Sequence, residues 1–375
     1  MTHAGRRSGR ISKGGFLVAQ RIYWVPHTVC FFGCEHCHND SVMEGIRADR
    51  DVIDGVISHL PECGTRYGLE EVLIGGGESL MRNQQMEYLI TRLRARFPRG
   101  SQATIKQRQD AGYVVLGLQT MGFPLADAKG VPVERNIRYW LDLGIDYFHI
   151  ASNDVFHEQQ RPEYPWDALR QNLHDYSEET GVEIWIYGKA PARLVPSGRV
   201  LDNLATLAQR QGASLLTAPG YCATAWEGGA NFLSGQERPY PECSEVVIDP
   251  HGWVHPCCWH ELAPGLFNLT TTAFEDGMEA ALTVPFCQAI DEGDMLKLSQ
   301  IAGIPADLAR HVRDTVGDCG ACRLCSVKLA GDPNNSWLKP AVLSDKERRF
   351  YTEHLGEGVM KQFFTHDPTL TIIGQ

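Results

Sequence analysis

From about residue 20 to residue 217, short apolar runs alternate with amphipathic stretches, and this alternation limits the possible folds more than any other feature of the chain. Residues 22–25, 71–74, 113–119, 147–151, 182–187 and 213–216 read as strands. Residues 49–60, 83–97, 133–143, 166–179 and 201–210 read as helices. Two successive parallel strands need a long crossover, so strand and helix in turn imply a parallel sheet covered by helices. About six such units predict an α/β fold, a partial, open (β/α)6 TIM-like barrel rather than a closed eight-fold one. After residue 217 the texture changes: Gly, Pro, Trp and Cys dominate 218–265, with one clear strand at 245–249. A helical pair at about 272–279 and 305–316, a compact knot at 319–325 and a helix-prone stretch at 344–355 follow. The expected division is a basic N-terminal segment (1–19), the barrel (20–217), a small Cys-rich α+β domain (218–330) and a helical tail (331–375).

With 43% hydrophobic and 22% charged residues, a 375-residue chain buries a large core and does not have the make-up of a disordered one. Its 35 basic and 46 acidic side chains give a net charge of −11, the wrong sign for a general nucleic-acid binder. No stretch approaches the roughly 18 apolar residues of a membrane span. Arg6, Arg7, Arg10 and Lys13 are followed only by Phe16, Leu17, Val18 and Ala19 before Gln20, short of the apolar core of about 7–15 residues in a secretory signal. The expectation is a cytoplasmic protein with neither nucleic acid nor membrane as partner. The chain has 12 cysteines, and one of this size does not need them as disulfide staples. They cluster: Cys30, Cys34 and Cys37 near the start, and Cys243, Cys257, Cys258, Cys287, Cys319, Cys322 and Cys325 in the last third. In a reducing compartment such clusters mean metal.

Cys30-Phe-Phe-Gly-Cys34-Glu-His-Cys37 spaces three thiols as C-x3-C-x2-C directly after the first strand. Parallel α/β folds place their chemistry on loops at the carboxyl ends of strands, where this segment falls. Three thiolates on so short a loop, with Gly33 to turn it, hold three irons of a cubane cluster and leave the fourth open to a small molecule. Four cysteines would saturate every iron. Zinc, with His36 or His38 as fourth ligand, and core packing of positions i, i+4 and i+7 are the other readings of this spacing. Downstream, Glu71-Val-Leu-Ile-Gly75-Gly76-Gly77-Glu78 leads from a strand into a helix. Its glycines let backbone carbonyls approach a ligand closely, and Glu78 offers a carboxylate to an ammonium group. Alone, such a run often only turns the chain; combined with the triplet it is specific.

With both motifs present, the chain resembles the radical S-adenosylmethionine (radical SAM) superfamily, whose signature is C-x3-C-x-aromatic-C followed one strand later by Gly-Gly-Glu. Cys30, Cys34 and Cys37 match the first, with His36 in the ring-bearing slot, and Gly76-Gly77-Glu78 match the second. Ser79 stands where the family commonly has Pro. Leu118-Gln-Thr120-Met-Gly122 looks like a third-strand Thr-x-Gly turn, and Ala151-Ser152-Asn153-Asp154 like the fourth-strand polar end that faces the ribose. The resemblance covers about residues 20–217. It implies a 4Fe–4S cluster on the three cysteines, with the open iron chelated by the amino and carboxylate groups of SAM. One-electron cleavage then gives methionine and a 5′-deoxyadenosyl radical that abstracts a substrate hydrogen, the electron coming from a donor such as flavodoxin or ferredoxin. It further implies that Glu78 and the carbonyls of Gly76 and Gly77 bind the methionyl ammonium. His36 would pack beside the adenine, and Ser152 or Asp154 would take the ribose hydroxyls. Arg199, in Pro196-Ser-Gly-Arg199, would pair with the SAM carboxylate unless it lies solvated at a helix start.

Residues 246–258 read as a hairpin with Gly252 in the turn and cysteines at its ends, followed far downstream by Cys319-x2-Cys322-x2-Cys325. This is similar to the auxiliary-cluster domains called SPASM and their shortened form, twitch, although the downstream knot is shorter and no cysteine follows Cys325. The similarity implies one auxiliary 4Fe–4S cluster on Cys243, Cys257 and two of Cys319, Cys322 and Cys325. A second is possible if Cys222, Cys258 and Cys287 are recruited, and zinc is the bland reading. Cys63 reads as a simple buried thiol. Cys222 is a cluster ligand, a packed thiol or a catalytic hydrogen-atom donor, as in radical SAM epimerases. His157 and Asp154, just past a strand's carboxyl end, are placed to contact substrate. The expected activity is a radical SAM oxidoreductase that oxidises, cross-links or epimerises a precursor peptide in RiPP maturation. About twenty residues precede the first strand, too few for a peptide-binding domain, so a peptide would need a separate recognition protein or direct docking. The rival is a twitch-type dehydrogenase or epimerase of a sugar or aminocyclitol natural product. A non-catalytic iron–sulfur carrier or zinc-stabilised scaffold is the reading of another class; the six-unit barrel and Glu78 speak against it, because a carrier needs neither.

Overall fold

Five of the apolar runs become parallel strands laid side by side in chain order: β1 (Arg21–Trp24), β2 (Glu71–Ile74), β3 (Val115–Thr120), β4 (Tyr147–Ile150) and β5 (Glu183–Ile186). The register runs through Ile22↔Val72, Val72↔Leu116, Leu118↔Phe148 and Phe148↔Ile184. Between them come α1 (Arg50–His59), α2 (Gln84–Arg96), α3 (Ile105–Asp110), a 3-10 turn (Phe123–Leu125), α4 (Glu134–Leu143), α5 (Val155–Glu158), α6 (Trp166–Thr180) and α7 (Val200–Arg210). The computed structural model describes residues 21–37, 39–62, 68–81, 84–151, 155–186, 197–210, 246–256, 264–292, 295–332, 335 and 338–364, without the side chains of 155, 156, 204, 205, 208–210, 291, 292, 295, 318 and 319. The expected strand at 213–216 and the basic segment 1–19 lie outside the described residues.

Alternation along each strand sorts the two faces of the sheet. Ile22, Trp24, Val72, Ile74, Leu116, Leu118, Phe148, Ile150 and Ile184 join the helices' Ile53, Val56, Leu89, Leu93, Ile137, Leu169 and Leu173 in the main core. The opposite face carries Tyr23, Leu73, Val115, Tyr147 and Trp185, with Ile105 of α3 packed on them. That second face is concave. The Tyr147 hydroxyl on β4 donates to the Glu71 carboxylate on β2, over the intervening strand. The charge of Arg21 on β1 is felt by His149 on β4. A buried ionic lock closes the amino end of β4, where Asp146 pairs with Arg94, Arg99 and Arg108 and accepts from the Leu116 N–H.

The later strands extend the same sheet. β6 (Val246–Ile248) pairs in parallel with β1, and β7 (Trp253–His255) and β8 (Phe267–Asn268) follow antiparallel. The order is β5-β4-β3-β2-β1-β6-β7-β8, an open, mainly parallel partial barrel with an antiparallel flank. The expected hairpin is present, with Gly252 at φ +82° in its turn. Asp249 shapes that turn by accepting the His251 and Trp253 N–H groups, at 2.8 and 2.9 Å. Helices α8 (Phe274–Leu282), α9 (Pro285–Glu292), α10 (Met295–Ile301), α11 (Ala306–Ala330), α12 (Asp345–Leu355) and α13 (Glu357–Phe363) complete the chain. The Cys319–Cys325 stretch differs from expectation: it is helical, in α11 after a break at Gly317 (φ 75°, ψ 172°), and not a compact knot. Among the described residues no helix is long and apolar enough to cross a membrane.

Candidate active site

The three N-terminal cysteines lie on the loop between β1 and α1, at the carboxyl end of the sheet. Backbone pairing pins the loop's base: Thr28 N–H donates to Ile46 O (2.9 Å), Cys30 N–H to Val42 O (3.0 Å) and Val42 N–H to Thr28 O (3.2 Å). His27 is fully buried, and its Nδ1 accepts the Val29 N–H at 3.2 Å. Burial, aided by the charge of Arg47, pushes the His27 pKa down to about 4, so the ring is neutral when it accepts.

The glycine run passes directly against this base. Gly77 N–H donates to His27 O (3.1 Å) and Glu78 N–H to Val29 O (3.0 Å), carrying β1–β2 pairing beyond the strand ends. Gly76 has φ +119°, and a methyl group on Gly76 or Gly77 would run into the carbonyls of His27 or Val29. The glycines are therefore required by the approach of two backbones, with the cysteine loop as the neighbour. Their spacing brings residues 75–78 to the first cysteine.

Glu78 is 1% exposed, and its carboxylate is already engaged. It accepts from Leu80 N–H (2.9 Å), the Thr120 hydroxyl (2.7 Å) and Met121 N–H (3.0 Å). Burial raises its pKa, against the opposing effect of those hydrogen bonds. Thr120 in turn accepts from the Gly122 N–H at 3.1 Å. Two motifs read separately in the sequence, Gly-Gly-Glu and Thr-x-Gly, thus meet through one carboxylate that joins the ends of β2 and β3.

Cys34 is buried and Cys30 and Cys37 are half-buried. Phe32 N–H points at Cys30 Sγ (3.4 Å) and Ser41 N–H at Cys37 Sγ (3.3 Å), the kind of N–H···S contact that tunes iron–sulfur centres. Burial pushes the Cys30 thiol up to about 11; the Phe32 N–H opposes this, while Glu78 and Cys37 add to it. A bound cation would favour the thiolate, so this donor set fits a metal centre. Among the described residues no three His, Cys, Asp or Glu side chains gather as they would about a single ion. The edges of a cubane hold their cysteines further apart than a single ion does.

His36 is 9% exposed and packs edge-on against His157 of α5, with ring centroids 4.5 Å apart. α5, the helix after β4, therefore abuts the loop. Phe32 and the 37%-exposed Phe31 lie against Phe123, over which Arg161 stacks at 4.3 Å. Arg199 is not solvated: its side chain is 19% exposed and bonds the cysteine loop. Its Nε donates to Cys34 O (2.9 Å), its Nη2 to Ser41 O (3.0 Å) and its backbone N–H to Cys37 O (2.9 Å). No sequence pattern announced this role, because the loop and the arginine are some 160 residues apart.

A cavity of about 550 Å3 opens on the other side of the loop. Its lining includes Thr28, Asn39 and Asp40 of the loop, Ser197 and Leu201, and the charged or titratable Asp249, His255, Arg323, Lys339 and Glu347. Burial opposes ionisation of Asp249, but His255 (3.2 Å) and Lys339 (2.9 Å) hold its carboxyl below the usual range. In the C-terminal helices Cys325 is 1% exposed and packs on Ser299 (3.7 Å); burial pushes its thiol up to about 12. Cys322, three residues earlier on α11, is half-buried. Cys287 is a core residue of α9. Ser152, Asp154, His38, Cys63, Cys222, Cys243, Cys257, Cys258 and the side chain of Cys319 lie outside the described residues.

No family model and no curated protein sequence matches the chain. Among solved structures it is similar to BtrN in complex with AdoMet and 2-DOIA, at 13% identity and TM-score 0.42, over 74% of this chain and 89% of that one. It is also similar to Streptococcus suis SuiB bound to its precursor peptide SuiA, at 17% identity and TM-score 0.31, over 69% of this chain and 64% of SuiB.

Proposed function

We propose that the chain is a radical SAM oxidoreductase. One observation carries the reading: β1–β2 pairing lays the C-x3-C-x2-C loop against Gly75–Glu78, so that the two motifs of the superfamily form a single surface. Cys30, Cys34 and Cys37 would hold a 4Fe–4S cluster. When bound, that cluster supplies the electron that cleaves SAM and yields the radical that takes a substrate hydrogen. The glycine segment and His36 would bind and orient the nucleotide, and the aromatic residues Phe31, Phe32 and Phe123 would shield it from water. An auxiliary 4Fe–4S cluster on Cys243, Cys257, Cys319 and Cys322 fits a helix on which Cys325 is a core residue.

For the substrate we infer a precursor peptide, with flavodoxin or ferredoxin as electron donor. A sugar or aminocyclitol is the second reading. The 550 Å3 cavity beside the loop favours it, since that is the size of a small-molecule site. The test is anaerobic reconstitution with iron and sulfide followed by SAM and a reductant. Wild type should release 5′-deoxyadenosine, the Cys30→Ala/Cys34→Ala/Cys37→Ala variant none. Cys319→Ala/Cys322→Ala should still cleave SAM but not turn over substrate. Undiminished 5′-deoxyadenosine from the triple variant would refute the proposal.

A further inference from the structure

The base of the cysteine loop is held by its own backbone, but its far arc, residues 31–41, is not. Within that arc the only backbone–backbone bond among the described residues is Cys37 N–H to Cys34 O, at 3.1 Å. Beside the N–H contacts to Cys30 and Cys37 Sγ and the packing of Phe32 on Phe123 and His36 on His157, the arc's carbonyls are bonded from the start of α7. Arg199 supplies three bonds, to the carbonyls of Cys34, Cys37 and Ser41. Asn203, one turn on, reaches Glu35 O at 3.4 Å while bonding Arg199 O at 3.0 Å. The Arg199 side chain is 19% exposed, and its charge is met only loosely by Asp40, at 4.0 Å. Asp40 is itself tied to Lys346 of α12 (3.5 Å), which also pairs with Asp202 of α7 (2.7 Å).

We propose that Arg199 is a positioning residue that pre-forms the cysteine loop from outside and sets the reduction potential of the centre the loop holds. The guanidinium fork suits the first task, since its rigid plane holds two donors at a fixed spacing for two carbonyls of one arc, whereas an ammonium is a compact point charge whose donors rotate. A fixed positive charge beside the thiolates suits the second, since it favours the reduced, more negative state of a centre. The potential rests on the radical SAM reading; the loop-clamping role does not.

The experiment compares wild type, Arg199→Gln and Arg199→Lys as full chains, each checked for unchanged far-UV circular dichroism. Hydrogen exchange of the metal-free protein is followed in peptides spanning 30–42 and, as an internal control, in β2. Arg199→Gln should speed exchange in the loop about tenfold or more and leave β2 unchanged. Arg199→Lys should fall between. In reconstituted protein, the SAM-responsive electron paramagnetic resonance signal should appear at a more negative poised potential in Arg199→Gln, and near the wild-type value in Arg199→Lys, which keeps the charge. Loop exchange unchanged in both variants would overturn the clamp. An identical potential in all three would overturn the electrostatic part. If Arg199→Gln lost its fold, Arg199→Lys would decide by the same exchange measurement. If wild type took up no iron the radical SAM reading would fail, while the exchange result would still judge the clamp.

Discussion

At the scale of single residues, the site depends on buried polar groups whose partners lie far away in sequence. Glu78 is the clearest. Sequence reasoning found it as a carboxylate for an ammonium group; the structure adds that it accepts three hydrogen bonds and joins the ends of β2 and β3. Glu78→Ala would leave those donors buried and unsatisfied, at about 1–3 kcal/mol each before relaxation. The expected outcome is a loss of at least ~2 kcal/mol in urea unfolding of the metal-free, ligand-free protein. A change below about 0.5 kcal/mol would mean that Glu78 serves only a ligand. His27 and His149 add a pH dependence, since burial pushes both to about 4 from an ordinary 6.5. Between those values the unfolded chain binds protons that the folded chain does not, so stability is complete above pH 6.5 and declines as pH falls towards 4. The loss is of order 3 kcal/mol per histidine. His27→Asn, whose side-chain oxygen can still accept the Val29 N–H, should flatten part of that slope in thermal unfolding from pH 7 to 4. An unchanged slope would remove His27 from the account. The cysteine and glycine motifs could be read because each is local. The loop bonds of Arg199 and the bond from the Thr120 hydroxyl to Glu78 could not, because their partners lie 165 and 42 residues away.

Among the elements, period and end signals located β2 to the residue and six of the eight expected helices to within one residue, while α3, α5, α9, α10 and α13 were not among those expected. The strand expected at 113–119 starts at Val115 instead, because the Tyr113 N–H is taken by Arg108 O at the end of α3. That helix escaped notice since only one of its six residues, Ile105, is apolar, and its legible mark was the Thr104–Gln107 capping box. The close spacing of the cysteines at 319–325 suggests a metal knot, yet Ala321, Leu324 and Val327, at helical intervals, are buried among the helices. Helix α12 is fastened there by Glu347, whose carboxylate accepts from Arg323 of α11 at 2.7 and 3.3 Å with both side chains under 10% exposed. Removing one member strands a buried charge. Glu347→Ala should cost about 3–5 kcal/mol in chemical denaturation. A cost under 1 kcal/mol would show that the pair is solvated.

For the molecule as a whole, the alternation of strand and helix fixed a parallel sheet, and strands β1 to β5 lie in chain order as such crossovers require. What the alternation could not report is that β6, three residues long, settles beside β1. That choice depends on an open sheet edge, which no periodicity describes, and it brings Asp249, His251 and His255 to the flank of the cysteine loop. The central claim is that Cys30, Cys34 and Cys37 leave one corner of a cluster for SAM, next to Gly75–Glu78. Electron paramagnetic resonance of the reduced, reconstituted protein with and without SAM tests it most directly. The account predicts a spectrum that changes on adding SAM in wild type and does not respond in the triple cysteine variant; an iron-loaded wild type indifferent to SAM would contradict it.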